Sequence, residues 1–75
     1  RTTIRFDVGV GQRGEVKVYN LRGELVRTLH EGEFASTEFL WDGTDHRGGP
    51  VASGVYVVKA TADGQSRVSK VALIR

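Results

Sequence analysis

Two runs of alternating apolar residues, joined by Asp63-Gly64, constrain the fold of this chain more than any other feature. In residues 54–62 and again in residues 66–74, apolar side chains recur at every second position, which is the period of a β-strand. A two-residue type I′ turn requires positive φ at both central residues, and Asp-Gly adopts that conformation readily. We therefore predict a β-hairpin. Its second strand has apolar residues on both faces, which indicates a strand that is covered on both sides or paired to a neighbour.

The same period of two runs through most of the remaining sequence. It predicts a first strand with Ile4, Phe6 and Val8, a second with Val16 and Val18, and a fourth with Thr37, Phe39 and Trp41. Glycine-containing segments separate these runs, as expected for turns and short connections.

The third strand, residues 24–30, is less regular. Asn20 begins a predicted type I turn that Gly23 closes, so the following residues should return as a hairpin partner of the second strand. The period of two assigns no single inner face to residues 24–30, because Leu25 and Val26 point to opposite sides of a strand. A helix over residues 21–29 is the alternative, since its apolar residues also fit a period of 3.6. The glycine and the flanking strands favour the strand.

Six or seven short antiparallel strands separated by turns predict an all-β fold, a β-sandwich, with a small barrel as the alternative. With 75 residues and no cysteine, residues 1–75 should form a single domain with one modest hydrophobic core and no disulfides. The core is predicted on the apolar faces of the strands and comprises Ile4, Phe6, Val16, Val18, Phe39, Trp41, Tyr56 and Val58.

The charge pattern argues against several classes of partner. The formal net charge is +2, and the eleven Lys and Arg residues are spread along the chain, whereas a nucleic-acid-binding surface requires clustered positive charge. No apolar run approaches the roughly 20 residues of a membrane-spanning helix. Because residue 1 is Arg rather than Met, we expect this domain to be part of a longer chain, whose export signal would lie outside it.

Few residues have the chemistry or spacing of a catalytic or metal site. Asp42 and Asp45, with Thr44, supply oxygen atoms of the kind that calcium binds, but they lack the EF-hand pattern; the alternative is that Asp42 accepts hydrogen bonds from its own loop. His30 and His46 lie in different predicted elements, without a second ligand beside either. No serine is placed as a nucleophile. We therefore expect no enzymatic activity, no cofactor and no tightly bound metal.

The segment Trp41–Tyr56 has the sequence W-D-G-T-D-H-R-G-G-P-V-A-S-G-V-Y. It fits the pattern W-D-G-x-D-x-x-G-x-x-V-x-S-G-x-Y, and three further blocks accompany it in order: Thr3–Phe6, Val16–Leu29 and Lys70–Arg75. Together these blocks resemble the FlgD-type immunoglobulin-like domains and the type A C-terminal sorting domains of the bacterial type IX secretion system. Asn20 departs from the pattern, in which Asp is usual at that position.

The resemblance implies an immunoglobulin-like (fibronectin III-like) β-sandwich that has no catalytic role and forms the C-terminal part of a longer secreted or cell-surface protein. It would act as a sorting or anchoring domain for type IX secretion or as a structural assembly module. Its partners would be the secretion machinery or neighbouring domains and subunits. Two alternatives stay open: a carbohydrate- or calcium-binding module of an exported hydrolase, and a flagellar hook-assembly domain.

In the sorting domains, recognition is placed on two strands near the C-terminus. By resemblance, the recognition residues here are Gly54, Tyr56, Lys70, Val71, Ala72, Leu73, Ile74 and Arg75. A terminal edge strand offers unpaired N–H and C=O groups, to which a partner or a second copy can add a strand. Residues 70–75 are therefore the predicted recognition surface.

Overall fold

The alternating segments fold into six β-strands. The computed structural model describes residues 2–74, and its strands are β1 (Thr2–Arg5), β2 (Arg13–Tyr19), β3 (Leu25–Glu33), β4 (Glu38–Trp41), β5 (Gly54–Ala62) and β6 (Gln65–Leu73). Residues 2–74 contain no helix, so the helical interpretation of residues 21–29 is wrong. No helix capable of crossing a membrane is present in this part of the chain.

The strands form two antiparallel sheets. Four strands pair in the order β3-β2-β5-β6, and β1 pairs with β4 in the second sheet. Successive residues of a strand face opposite sides of its sheet, so every second side chain of each sheet points into the space between the two. The predicted all-β, antiparallel immunoglobulin-like sandwich is confirmed, with six strands.

The core between the sheets contains twelve buried apolar residues. They are Ile4, Phe6, Val16, Val18, Val26, Phe34, Phe39, Trp41, Tyr56, Val58, Ala60 and Leu73, which include all eight core residues named from the sequence. The rings of Trp41 and Tyr56 pack edge to face, with centroids 5.0 Å apart, an arrangement that the aromatic quadrupole favours. Phe34 follows the end of β3 and is only 1% exposed; a strand period could not identify it because it lies outside any strand.

Strands β5 and β6 form the predicted hairpin. Asp63 and Gly64 have φ angles of 51° and 74°, as a type I′ turn requires. Pairing continues without a register shift along the whole of both strands. The hairpin therefore lies within one residue of its predicted position.

Strand β3 is irregular where the hairpin is regular. Its pairing with β2 shifts register twice and leaves Val26 and Leu29 without a partner residue on β2, as in a β-bulge. Val26 is buried and Leu29 packs against the core, while Leu25 is 47% exposed. The two bulges explain why a strict period of two gives no consistent inner face for residues 24–30.

Strand β1 is shorter than predicted. It ends at Arg5, although the alternation continues to Val8. The Phe6 N–H donates to the carbonyl of Thr37 at 3.0 Å, and the chain then leaves the sheet. Phe6 is nevertheless buried and Val8 packs against the core, so the alternation predicts burial here but overstates the length of the paired strand.

Candidate functional site

The glycine-rich loop between β4 and β5, residues 42–53, is closed by its own hydrogen bonds. Thr44 and Pro50 form an isolated antiparallel bridge. The Asp45 N–H donates to the carbonyl of Gly49 at 2.9 Å. The loop is therefore a folded unit in its own right.

The two carboxylates predicted as candidate calcium ligands bond to this loop. An oxygen of Asp42 accepts hydrogen bonds from the N–H and the hydroxyl of Thr44. An oxygen of Asp45 accepts from the N–H groups of Arg47, at 2.9 Å, and Gly49, at 3.0 Å. These bonds favour the ionised carboxylates and lower the pKa of both, the hydroxyl of Thr44 having the largest effect on Asp42 and the N–H of Gly49 on Asp45. Each carboxylate therefore accepts hydrogen bonds from its own loop, which for Asp42 is the alternative to calcium binding predicted from the sequence.

The histidines do not combine with these carboxylates. His30 stacks on Phe34, with ring centroids 4.9 Å apart, whereas His46 is exposed in the glycine-rich loop. Within residues 2–74, no group of three or more His, Cys, Asp or Glu side chains is arranged to hold a metal ion.

Arg27 anchors the loop to the edge strand β3. Its guanidinium donates to the hydroxyl of Thr44 and to the carbonyl of Asp45, both at 2.7 Å. The His46 N–H donates to the carbonyl of Val26 at 2.9 Å. The loop therefore covers part of the outer edge of β3 and uses backbone that is otherwise open to pairing.

Two aromatic residues fix the ends of the loop. The indole N–H of Trp41 donates to the carbonyl of Thr44 at 2.9 Å, and the hydroxyl of Tyr56 donates to the carbonyl of Ala52 at 2.6 Å. Each ring is buried, and its polar tip meets the loop backbone, as buried Trp and Tyr side chains usually require. These contacts give the Trp and Tyr of the W-D-G…G-x-Y pattern a structural role.

Strand β6 is the opposite edge of the four-stranded sheet. It pairs with β5, and no other strand within residues 2–74 pairs with its outer edge. The residues that flank a two-residue turn exchange both hydrogen bonds, and bonded and non-bonded pairs then alternate along the hairpin. Starting from Gln65 opposite Ala62, this alternation directs the N–H and C=O groups of four residues away from β5: Ser66, Val68, Lys70 and Ala72.

The two faces of β6 differ in burial. Val71 packs against the core and Leu73 is buried, whereas Val68 is 62% exposed and Ala72 also lies at the surface. Of the two alternatives predicted for this strand, coverage on both sides is wrong for its outer face, and pairing to a neighbour is confirmed. Ile74 follows the end of the strand and is exposed.

The structure separates the residues predicted for recognition. Lys70 is exposed on β6 and forms no ion pair with another described residue. Gly54 and Tyr56 lie in the part of β5 that pairs with β6 alone, because the pairing of β5 with β2 extends only from Val57 to Ala62, and the Tyr56 side chain is buried. Arg75 lies outside the described residues. Of the predicted set, the residues that lie on the edge strand β6 are Lys70, Val71, Ala72 and Leu73.

Sequence reasoning missed Ser66 and Val68 as edge residues and Arg27 as the anchor of the loop. The outward direction of the first two follows from counting along the hairpin from its Asp63-Gly64 turn. The signal for Arg27 was weaker: it is the one charged residue between Leu25 and Leu29.

The family model described as the FlgD Ig-like domain matches residues 6–66. The matched range includes β2 to β5 and the glycine-rich loop, and it ends near the beginning of β6. No curated protein and no solved structure matches the chain significantly.

Proposed function

The chain belongs to the FlgD Ig-like domain family, and from that premise we propose that it is a non-catalytic module of a longer exported bacterial protein. It acts by binding another protein along the open edge of β6. Its expected location is the cell surface or the extracellular medium.

The observation that carries the proposal is the open edge itself. The outward N–H and C=O groups of β6 have no partner strand within the described chain, and exposed apolar side chains of Val68 and Ala72 flank them. Strand addition derives affinity from such backbone groups and specificity from the neighbouring side chains. By contrast, the carboxylates of Asp42 and Asp45 are bonded within their own loop.

The partner in this proposal is a component of the type IX secretion machinery, which would recognise β6 as part of a sorting or anchoring signal. The order basic, apolar, basic from Lys70 to Arg75 supports this partner, because it resembles the closing strand of the type A sorting domains.

The test is a passenger protein fused to residues 1–75 in a bacterium that has a type IX secretion system. Val68→Pro removes one outward N–H and leaves the bonds between β5 and β6 in place, since proline is tolerated on an edge strand where its nitrogen faces solvent. Val68→Thr is the matched control because it keeps both the N–H and the β-branched shape. We expect surface display to be lost with Val68→Pro and kept with Val68→Thr.

Equal display of the two fusions would overturn the sorting role. Thermal unfolding of the purified variants separates a lost interaction from a lost fold: both variants should unfold cooperatively, with similar Tm values.

A second candidate is a part in flagellar hook assembly, which the family match itself favours. Its partner would be a neighbouring subunit of the hook. The test replaces the Ig-like domain of a FlgD protein with residues 1–75 in a motile host. Motility that is restored by the unaltered chain, and lost again with Val68→Pro, would support this candidate; absence of motility with both chains would exclude it.

A further inference from the structure

Strands β5 and β6 carry almost only positive charge. Between residues 54 and 74 the only acidic side chain is Asp63, in the turn, against the cations Lys59, Arg67 and Lys70. Charged side chains protect an edge strand from pairing with a second copy of itself, because like charges would meet. They give no such protection against a strand of the opposite charge.

All three of these cations, Lys70 among them, are exposed and form no ion pair with a described residue. Lys70 lies opposite Val57 on the outer face of the sheet, diagonal to Lys59. Arg67 lies on the inner face and lines an open cavity of about 180 Å³ together with Asp7 and Asp63. Neither Arg67 nor Lys70 forms an ion pair with another described residue.

We propose that β6 accepts an extended acidic segment of another protein as a fifth, antiparallel strand of the sheet. This inference rests on the proposed function and adds the chemistry of the partner. Antiparallel addition continues the geometry of every pair already present in the four-stranded sheet. Its backbone hydrogen bonds form with the outward groups of Ser66, Val68, Lys70 and Ala72.

The side chains of β6 set the order of residues in the added strand. On the outer face, Lys70 lies between Val68 and Ala72, so an acidic residue of the partner lies beside Lys70 with apolar residues on either side of it. On the inner face, a second acidic residue lies beside Arg67 and an apolar residue beside Val71. From its N-terminus, the antiparallel partner therefore follows the order apolar, apolar, acidic, polar, apolar, acidic.

Fluorescence anisotropy with the 75-residue chain tests this order. The probe is the peptide Val-Ile-Glu-Thr-Val-Glu with a labelled Gly-Ser leader, and its matched control carries Lys in place of both Glu residues. We expect the Glu peptide to bind with a Kd below about 1 mM. The Lys peptide should bind on the order of tenfold more weakly, because two attractive cross-strand pairs become repulsive.

Charge reversal on the protein provides the reciprocal test. Lys70→Glu should abolish the preference between the two peptides, because each peptide then forms one attractive and one repulsive pair, at residues 67 and 70. Arg47→Glu changes the net charge equally but lies in the glycine-rich loop, so it should preserve the preference for the Glu peptide. A preference that responds equally to both variants would mean that net charge, and not Lys70, selects the peptide, and would overturn the inference.

Val68→Pro distinguishes the inference from the function on which it rests. If both peptides bind the unaltered chain equally and Val68→Pro abolishes both, β6 is a docking edge without acidic preference, and the inference alone is overturned. Binding of the Glu peptide that survives Val68→Pro overturns strand addition itself. Absence of Glu-peptide binding at about 1 mM also overturns the inference, while the display of the fused passenger still decides the proposed function.

Discussion

The two edges of the four-stranded sheet are built differently. Along β3, bulges at Val26 and Leu29 break the regular ladder, and the glycine-rich loop covers part of the strand through Arg27 and His46. Along β6, pairing is regular over the whole strand, and no strand within residues 2–74 meets its outward backbone groups. The edge at β3 is closed, and the edge at β6 is open.

This difference supports the proposal that a partner binds at β6. Natural sheets protect their edges with bulges, covering loops and charges, because an open edge is a template for pairing with other chains. Strand β3 combines all three devices, whereas β6 retains charge alone. In the proposed function, the glycine-rich loop contributes to specificity without contacting a partner, because it protects β3 and leaves β6 as the open edge of the four-stranded sheet.

The largest effect is expected from removing Trp41, the core residue that fixes the beginning of the loop that covers part of β3. Trp41 is 0% exposed, packs against Tyr56 and donates to the carbonyl of Thr44. Trp41→Ala should lower the free energy of unfolding by about 3–5 kcal/mol, because it deletes a large core side chain and leaves a cavity. That loss is a large part of the stability of a small domain. Urea denaturation measures it.

Leu40→Ala is the control for this variant. Leu40 is the preceding residue of β4 but lies on the outer face and is 57% exposed, so its loss should change the free energy of unfolding by no more than about 0.5 kcal/mol. If the two variants had equal free energies of unfolding, the stability of the fold, including the closed edge at β3, would not depend on Trp41.

A smaller effect is expected at the contact that joins the loop to β3. Arg27→Met keeps an apolar stem but removes the donors to Thr44 and Asp45. We expect a loss of about 1–3 kcal/mol, because hydrogen bonds from a partly buried charged group are lost. The His46 amide, which is bonded to the carbonyl of Val26, should exchange its hydrogen faster. Unchanged exchange there would mean that the loop is held on β3 without Arg27.

The contrast between the edges also explains which parts of the fold could be predicted from the sequence. The β5–β6 hairpin depends on local chemistry, so the Asp63-Gly64 turn and the strand ends were predicted to within one residue. The shape of β3 depends on distant contacts: Arg27 bonds to Thr44, and the bulges turn Val26 towards the core. A period counted along one strand contains no information about such contacts.

The candidate site shows the same limit. The carboxylate oxygens of Asp42 and Asp45 have the chemistry to bind a metal ion and also to accept hydrogen bonds within a turn. Which of the two roles the Asp45 carboxylate has depends on where the N–H groups of Arg47 and Gly49 lie in three dimensions. The outward direction of the β6 backbone groups, by contrast, follows from the hairpin turn and was within reach of the sequence. The exposure of Val68 could not be predicted from the sequence, because it depends on whether another part of the chain covers that face.

The loop carboxylates make the closed edge sensitive to acid. The pKa values of Asp42 and Asp45 are lowered from the ordinary value of 3.8, so the ionised groups stabilise the folded state above that pH. Their contribution is lost as the pH falls through the lowered values. We expect a double variant, Asp42→Asn with Asp45→Asn, to be less stable than the unaltered chain at about pH 7, and the difference should narrow as the pH falls below 3.8. A difference in urea midpoint that stays constant with pH would contradict this.

The smallest effect on stability is expected at the open edge. Val68→Lys replaces a side chain that is 62% exposed on β6, so the free energy of unfolding should change by no more than about 0.5 kcal/mol. The same substitution at Val26, which is 8% exposed in the bulged part of β3, buries an unpaired ammonium group and should cost several-fold more. Urea denaturation of the two variants compares the two edges with the same substitution, valine to lysine. If both lost the same stability, β6 would be covered in the folded protein, and the distinction between a closed and an open edge would fail.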